Sequence, residues 1–189
     1  DSPYKTIEEL VAAAKEKGNL KASTNGNKAS NHTAAQLLAK SAGFKYKAIP
    51  YGGTADQLLA LRQGEVDFTC AKVADVAKLV KGDKPELRVL AVFNTKRDPE
   101  LPNVPTLGEK GLYPEWYGSA RALVAPKGTK PEVIQYYVEA FKKTMQDPAV
   151  IEAHKKAGMA LDFKDNKELG DLIKAQDKFA RDVVNDLYK

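Results

Sequence analysis

One order repeats through the first half of this chain: a short apolar run, a corner of small and polar residues, then a helical pattern. Leu20 to Ser23 leads into Ser23-Thr24-Asn25-Gly26-Asn27-Lys28-Ala29-Ser30-Asn31-His32, and a helix from about Thr33 to Ala42 follows, stopped by Gly43. Tyr46 to Pro50 leads into Tyr51-Gly52-Gly53-Thr54 and a helix from Asp56 to Gln63, closed by Gly64. Val66 to Cys70 leads through Ala71-Lys72 into Val73 to Val80, and the most apolar run, Leu87 to Phe93, reads as a buried central strand. Upstream, Thr6 and Glu9 have capping-box spacing and open a helix that Gly18 ends. The order βαβαβαβ with short connections implies an α/β fold, a parallel sheet with helices on both faces.

In such sheets ligands bind outside the carboxyl ends of the strands. The loops at Thr24–Ser30, Gly52–Thr54 and Ala71–Lys72 all sit there. At the first corner, Gly26 lets a ligand approach the backbone, and Ser30 or Asn31 can cap the following helix. A helix start leaves N–H groups without partners and carries partial positive charge, which suits a carboxylate or phosphate. The same residues also suit an ordinary capped strand–helix loop. His32 reads either as a ligand donor or as a histidine of the capping region.

The second half is more helical. Asp98 to Thr106 is rich in proline and reads as an extended surface segment before a short helix at Leu107 to Lys110. Trp116 to Pro126 is strand-like. Helices are expected from Pro131 to Gln146, with Val133, Ile134, Tyr137, Val138 and Phe141 on one face, and from Pro148 to Lys156. Leu161 and Phe163 suggest a short strand. Asn166 to Lys189 suggests a last helix with Leu169, Leu172, Ile173, Phe179, Val183 and Leu187 inward.

Length and composition bound the function. The 189 residues suffice for one large domain or two small lobes. The net charge is +5, but Lys and Asp/Glu are interspersed along the chain. A nucleic-acid binder more often clusters its cations on one element. The single cysteine, Cys70, excludes an internal disulfide and reads as a buried structural thiol. No run is long and apolar enough to span a bilayer, and no secretory leader pattern appears at Asp1. There is no P-loop, no His-Glu-x-x-His and no Gly-x-Ser-x-Gly elbow. His32 and His154 are far apart in sequence and lack ligands at metal spacing, so neither a metal nor a cofactor is expected. Asp67, at a strand end, is expected to bond to nearby backbone rather than act as a catalytic acid.

A set of motifs spans nearly the whole chain: Ser2 to Thr6, Ser23 to His32, Ile49-Pro50-Tyr51-Gly52-Gly53, Gly64 to Asp67, Leu90-Ala91-Val92, Leu101 to Thr106 and Ala125 to Thr129. In order and spacing it resembles the substrate-binding proteins of tripartite tricarboxylate transporters, the Bug family. The resemblance implies an extracytoplasmic, two-lobed protein of the periplasmic-binding-protein type 2 class that captures a small carboxylate and delivers it to membrane permease subunits. It implies ligand contacts at Thr24, Asn25, Gly26, Asn27, Ser30 and His32 of the first corner, and at Gly52, Gly53 and Thr54 of the second. Ala71 and Lys72 stand where many members have an Asp-Asn pair. Ser119 and Arg121 match a Ser-Trp-Arg variant of the crossover strand, with Ala120 in place of Trp. Arg121 offers a planar fork to a carboxylate, or is an ordinary surface arginine.

The likeness enters the family pattern at its second lobe. Residues 1–118 are thus expected to form a second-lobe α/β ligand-binding domain. Residues 119–189 are expected to form the crossover strand and helices that complete the first lobe. The opening strands of the first lobe are absent from the likeness, so a fragment, a shortened member and one part of a swapped or homodimeric assembly are all expected alternatives. Weak binding or none is expected of such a chain in isolation. The leading expectation is a carboxylate-binding transport protein that makes and breaks no bond. A non-binding, self-associating lobe and an enzyme on an anionic substrate are the alternatives.

Overall fold

Thr6 opens α1 (Ile7–Lys17) by accepting the Glu9 N–H on its hydroxyl at 3.2 Å, and Gly18 ends the helix at φ 65°, a left-handed turn that glycine adopts freely. The Glu9 carboxylate reaches one residue further back than a capping box needs and accepts the Lys5 N–H. These features belong to a computed structural model that describes residues 2–159 and 161–188. The chain divides into two units, Asp1–Ser119 and Ala120–Lys189.

In the first unit β1 (Lys21–Thr24), α2 (Ser30–Ala42), β2 (Lys47–Pro50), α3 (Thr54–Arg62), β3 (Phe68–Thr69) and α4 (Val73–Val76) follow in order. The strands form a parallel sheet in the order β2-β1-β3. Thr24 lies opposite Pro50, and Ser23 lies opposite Thr69. Successive strand residues face opposite sides. Ala22 packs with Ile7, Leu10 and Ala14 of α1 and Ala35, Leu38 and Ala39 of α2. Ser23 points the other way, and its hydroxyl donates to the Gln57 carbonyl of α3 at 3.0 Å. Helices therefore cover both faces. Phe44, Tyr46 and Phe68 close the core edge-to-face, with ring centroids 5.6–6.4 Å apart. Asp67 accepts the Lys21 N–H at 2.7 Å, the backbone role its position implies.

The fourth strand does not form. Leu87 to Phe93 contributes only one parallel bridge, Val92 to Thr106. Its partner segment carries Pro102 and Pro105, which have no N–H to give a ladder. Leu90, Ala91 and Phe93 still pack against the core, so the apolar pattern reports burial and not pairing. The helix at Val73 stops at Val76, because three valines in eight residues restrict side-chain rotamers and weaken it. Asp98 to Thr106 is a chain of turns rather than an extended segment, with Leu101 N–H donating to Asp98 O and Val104 N–H to Leu101 O. Leu107 to Lys110 is a turn, not a helix, and Leu107 is 1% exposed at the centre of the core.

The second unit contains α5 (Pro131–Met145), α6 (Pro148–Lys156), α7 (Asn166–Phe179), a π-helical turn (Ala180–Val184) and α8 (Asn185–Leu187). Asp147 caps α6 through the Ala149 and Val150 N–H groups, and Asp165 with Glu168 forms a full capping box on α7. Trp116 to Pro126 and Leu161 to Phe163 are not strands: among the described residues no neighbouring strand takes their N–H and C=O groups. Lys189, at the end of the expected last helix, lies outside the described residues. Leu169, Leu172, Phe179, Val183 and Leu187 are half-buried, whereas Ile173 is 53% exposed. Val133, Tyr137 and Phe141 of α5 are exposed as well. No helix among the described residues is long and apolar enough to cross a membrane.

Leu107 tests the core. Leu107→Ala should lower the unfolding free energy by about 2–5 kcal/mol, the cost of a buried leucine plus its cavity. A urea titration followed by the single Trp116 fluorescence or by circular dichroism reads this directly.

Candidate functional site

Because β1, β2 and β3 are parallel and paired at their last residues, all three following loops leave the same edge of the sheet. The chain leaves β1 towards β2 and returns across it to β3, so the crevice between β1 and β3 is the switch point of the sheet. The Tyr51 N–H donates to Thr24 O at 2.9 Å and ties the second corner to the first.

At the first corner, Thr24 is fully buried and its hydroxyl donates to Gly26 O at 3.3 Å. Gly26 has φ 122°, a conformation that only glycine adopts without strain. Asn27 and Lys28 are exposed, and Lys28 stands at φ 58°. The Lys28 N–H donates to His32 Nδ1 at 2.9 Å and folds the loop back on the helix. Helix α2 starts three residues earlier than its apolar pattern suggests. Its N-cap is Ala29, with no side-chain cap, so neither Ser30 nor Asn31 fills that place. Both lie inside the helix because Ala29 already has the extended backbone of a cap (φ −72°, ψ 170°). Asn25 supplies the missing acceptor from six residues away: its Oδ1 takes the Asn31 N–H at 3.3 Å. Tyr117 donates its hydroxyl to Ser30 O at 3.2 Å.

Below the rim lies a residue that the periodicity does not single out. Gln57, in α3, is fully buried. Its Nε2 donates to Cys70 O at 2.7 Å and to Thr69 Oγ1, and lies 3.3 Å from Ser23 O. Thr69 Oγ1 in turn donates to Ser23 O at 2.9 Å. The Gln57 Oε1 accepts from Asn31 Nδ2 at 2.9 Å. One amide thus joins the ends of β1 and β3, the start of α2 and the body of α3. The available signal was its spacing: Gln57 stands three residues before Ala60, on the buried side of α3, where an apolar side chain is the usual occupant.

The second corner is more open. Gly53 caps α3 with extended backbone, Gly52 is exposed, and Thr54 is the first helical residue. A Cβ on Gly52 would sit 3.5 Å from Asp56 Oδ2, so one carboxylate already stands near this helix start. At the third corner Ala71 is half-buried and Lys72 is exposed. Burial pushes the Cys70 thiol up to about 12, which leaves it protonated and inert as a nucleophile at neutral pH. Ser119 is exposed and lies outside the three corners. Arg121 belongs to the second unit, where its Nη1 lies 4.0 Å from Met159 Sδ. Among the described residues no three His, Cys, Asp or Glu side chains are grouped to hold a metal.

The family model for the tripartite tricarboxylate transporter family receptor matches residues 1–187. The chain belongs to this receptor family. A Cupriavidus necator protein encoded in the gbd 5′ region is 38% identical over 149 residues, covering 78% of this chain and 44% of that protein. The protein BugT of Bordetella pertussis is 29% identical over 150 residues, covering 78% of this chain and 45% of BugT. The chain spans about half the length of the curated relatives it matches. A TctC solute binding protein from Polaromonas, solved without ligand, superposes with a TM-score of 0.85 at 28% identity, covering 98% of this chain and 63% of its own. A further R. palustris structure, solved with adipate, shares the fold at a TM-score of 0.78 and 22% identity, covering 95% of this chain and 61% of its own. The α/β architecture with a parallel sheet is that of these receptors.

His32 makes the rim sensitive to acid. It is 6% exposed, and burial lowers its pKa from the ordinary 6.5. The unfolded chain then binds the proton more readily than the folded one, so stability is full above about pH 6.5 and falls as pH drops below it. Protonation also removes the Nδ1 acceptor of the Lys28 N–H. Unfolding free energy measured from pH 7.5 to 5 should fall in the wild type and stay flatter in His32→Gln. The lowered carboxylates Glu8 and Glu109 titrate below this window and do not mask it.

Proposed function

We propose that this receptor-family chain binds a small organic carboxylate along the rim formed by the loops after β1, β2 and β3. The observation that carries the reading is the convergence of those loops on one edge, with the starts of α2 and α3 behind them. Backbone N–H groups at Gly26, Asn27, Gly52 and Gly53, with the hydroxyls of Ser30 and Thr54, are the proposed donors. Asn25 and His32 shape the first corner. Lys28 and Lys72 add positive charge at exposed positions beside it, and Ala71 lines it. Ser119, the last residue of the first unit, is proposed as a further hydroxyl donor. Binding makes and breaks no covalent bond, and neither metal nor cofactor enters it.

Two relatives support the substrate class. An R. palustris protein of this fold was solved with adipate, and MatC from Rhodopseudomonas palustris was solved with bound malate. The family suggests an extracytoplasmic location and delivery to the permease subunits of a tripartite transporter. A second reading, a self-associating lobe, draws on the second unit. Among its described residues eight large apolar side chains are exposed, Val124 at 78% and Tyr136 at 69% being the most open.

A rim on one unit covers one side of a ligand, so its own affinity is low. Titration with malate and adipate, followed by amide NMR, should shift Gly26, Asn27, Gly52, Gly53 and Thr54. Gly26→Val should weaken the response at least tenfold, because φ 122° strains any side chain there. Light scattering on the same samples reports self-association. Shifts elsewhere, or an unchanged Gly26→Val titration, would contradict the site. An obligate dimer with no shifts at all would favour the second reading.

A further inference from the structure

The interspersed charge of the whole chain hides a local imbalance. Between Glu9 and Asp56 there are seven lysines, no arginine and a single acid, Glu16. That surplus of six exceeds the whole chain's net charge of +5. Lys28 stands on the ligand rim. The other six gather at the opposite end of the sheet. Lys15 and Lys17 lie in the last turn of α1 and Lys40 in the last turn of α2. Lys45 and Lys47 lead into β2, and Lys21 begins β1 directly opposite Lys47. All six are exposed.

This end of the unit is also concave. A groove of about 420 Å³ lies between the C-terminal ends of α1 and α2, lined by Gly18, Gly43 and Phe44 over the buried Ala14 and Ala39, with Lys15, Lys40 and Lys45 on its margins. The lysines in the last helical turns complement the helix dipoles. That accounts for Lys15, Lys17 and Lys40, but not for Lys21, Lys45 and Lys47. Among the described residues, no carboxylate pairs with the ammonium of Lys15, Lys21, Lys40, Lys45 or Lys47. The half-buried Asp67 carboxylate of this edge is held by the Lys21 backbone N–H, and Lys17 Nζ lies 3.5 Å from Tyr4 Oη.

We propose that this groove docks an acidic segment of a partner protein. The segment places an apolar side chain against Phe44 between Gly18 and Gly43, and carboxylates against Lys15, Lys40 and Lys45. Clustered lysines repel one another and attract an opposite field. The apolar atoms lie at the bottom of a recess, so an occupant must project into it. A flat lipid surface would instead need apolar side chains that project outwards. The face is independent of the carboxylate rim, because it lies at the amino ends of the strands.

The test uses the full chain and a fluorescein-labelled 12-residue glutamate peptide with Leu-Phe at its centre, read by anisotropy. Binding should weaken at least tenfold in Lys40→Glu/Lys45→Glu, and steeply between 50 and 300 mM salt. Lys142→Glu/Lys143→Glu, the same charge change on α5, should weaken it less than twofold. An all-glutamate peptide should bind at least threefold more weakly than the Leu-Phe peptide. Equal losses in the two double variants, or equal binding of the two peptides, would overturn the proposal. Phosphatidylglycerol vesicles bound through Lys40 and Lys45 as tightly as the peptide would assign the face to a lipid surface, and would overturn it too.

Discussion

A single buried carboxamide holds the carboxyl edge of this sheet together. Gln57 donates through Nε2 to Thr69, at the end of β3, and to Cys70 just after it, and accepts through Oε1 from Asn31 in the first turn of α2. Its backbone carbonyl takes the Ser23 hydroxyl of β1 as well. A polar group in such a place is costly if left unpaired. Fully paired, it fixes the relative positions of three loops that would otherwise be free to move one by one. The sheet contributes little such rigidity by itself, since β3 is only two residues long.

The local punctuation of the fold was legible in the sequence. Thr6, Gly18 and Gly43 begin and end helices where their chemistry says they should, and Pro131 and Asp147 start the later ones. The parallel β1–β2–β3 arrangement followed from the short connections. Long-range pairing was not legible. Leu87 to Phe93 has the composition of a central strand, but the segment it bridges is broken by prolines, and composition does not name neighbours. The early start of α2 was also hidden. Nothing near Ala29 announces a cap, because the acceptor comes from Asn25, across the loop. Gln57 was hidden for the related reason that its partners are backbone carbonyls and side chains far away in sequence.

The two ends of the sheet carry different chemistry. The carboxyl end is built of glycines, small hydroxyl residues and helix starts, with few charged side chains. The amino end is ringed by lysines around an apolar recess. The proposed carboxylate site lies at one end, and the proposed dock for an acidic segment at the other. The second unit follows another rule. Its helices α6 and α7 are capped by Asp147 and Asp165, yet α5, α6 and α7 bury no residue fully.

The central claim is that the rim is preorganised through Gln57. Hydrogen exchange, read by mass spectrometry on the wild type and on Gln57→Met, tests it most directly. The account predicts faster exchange together in peptides spanning residues 24–33 and 68–73, with α1 at its original rate. Exchange that rises only within α3, or evenly across the whole unit, would contradict it.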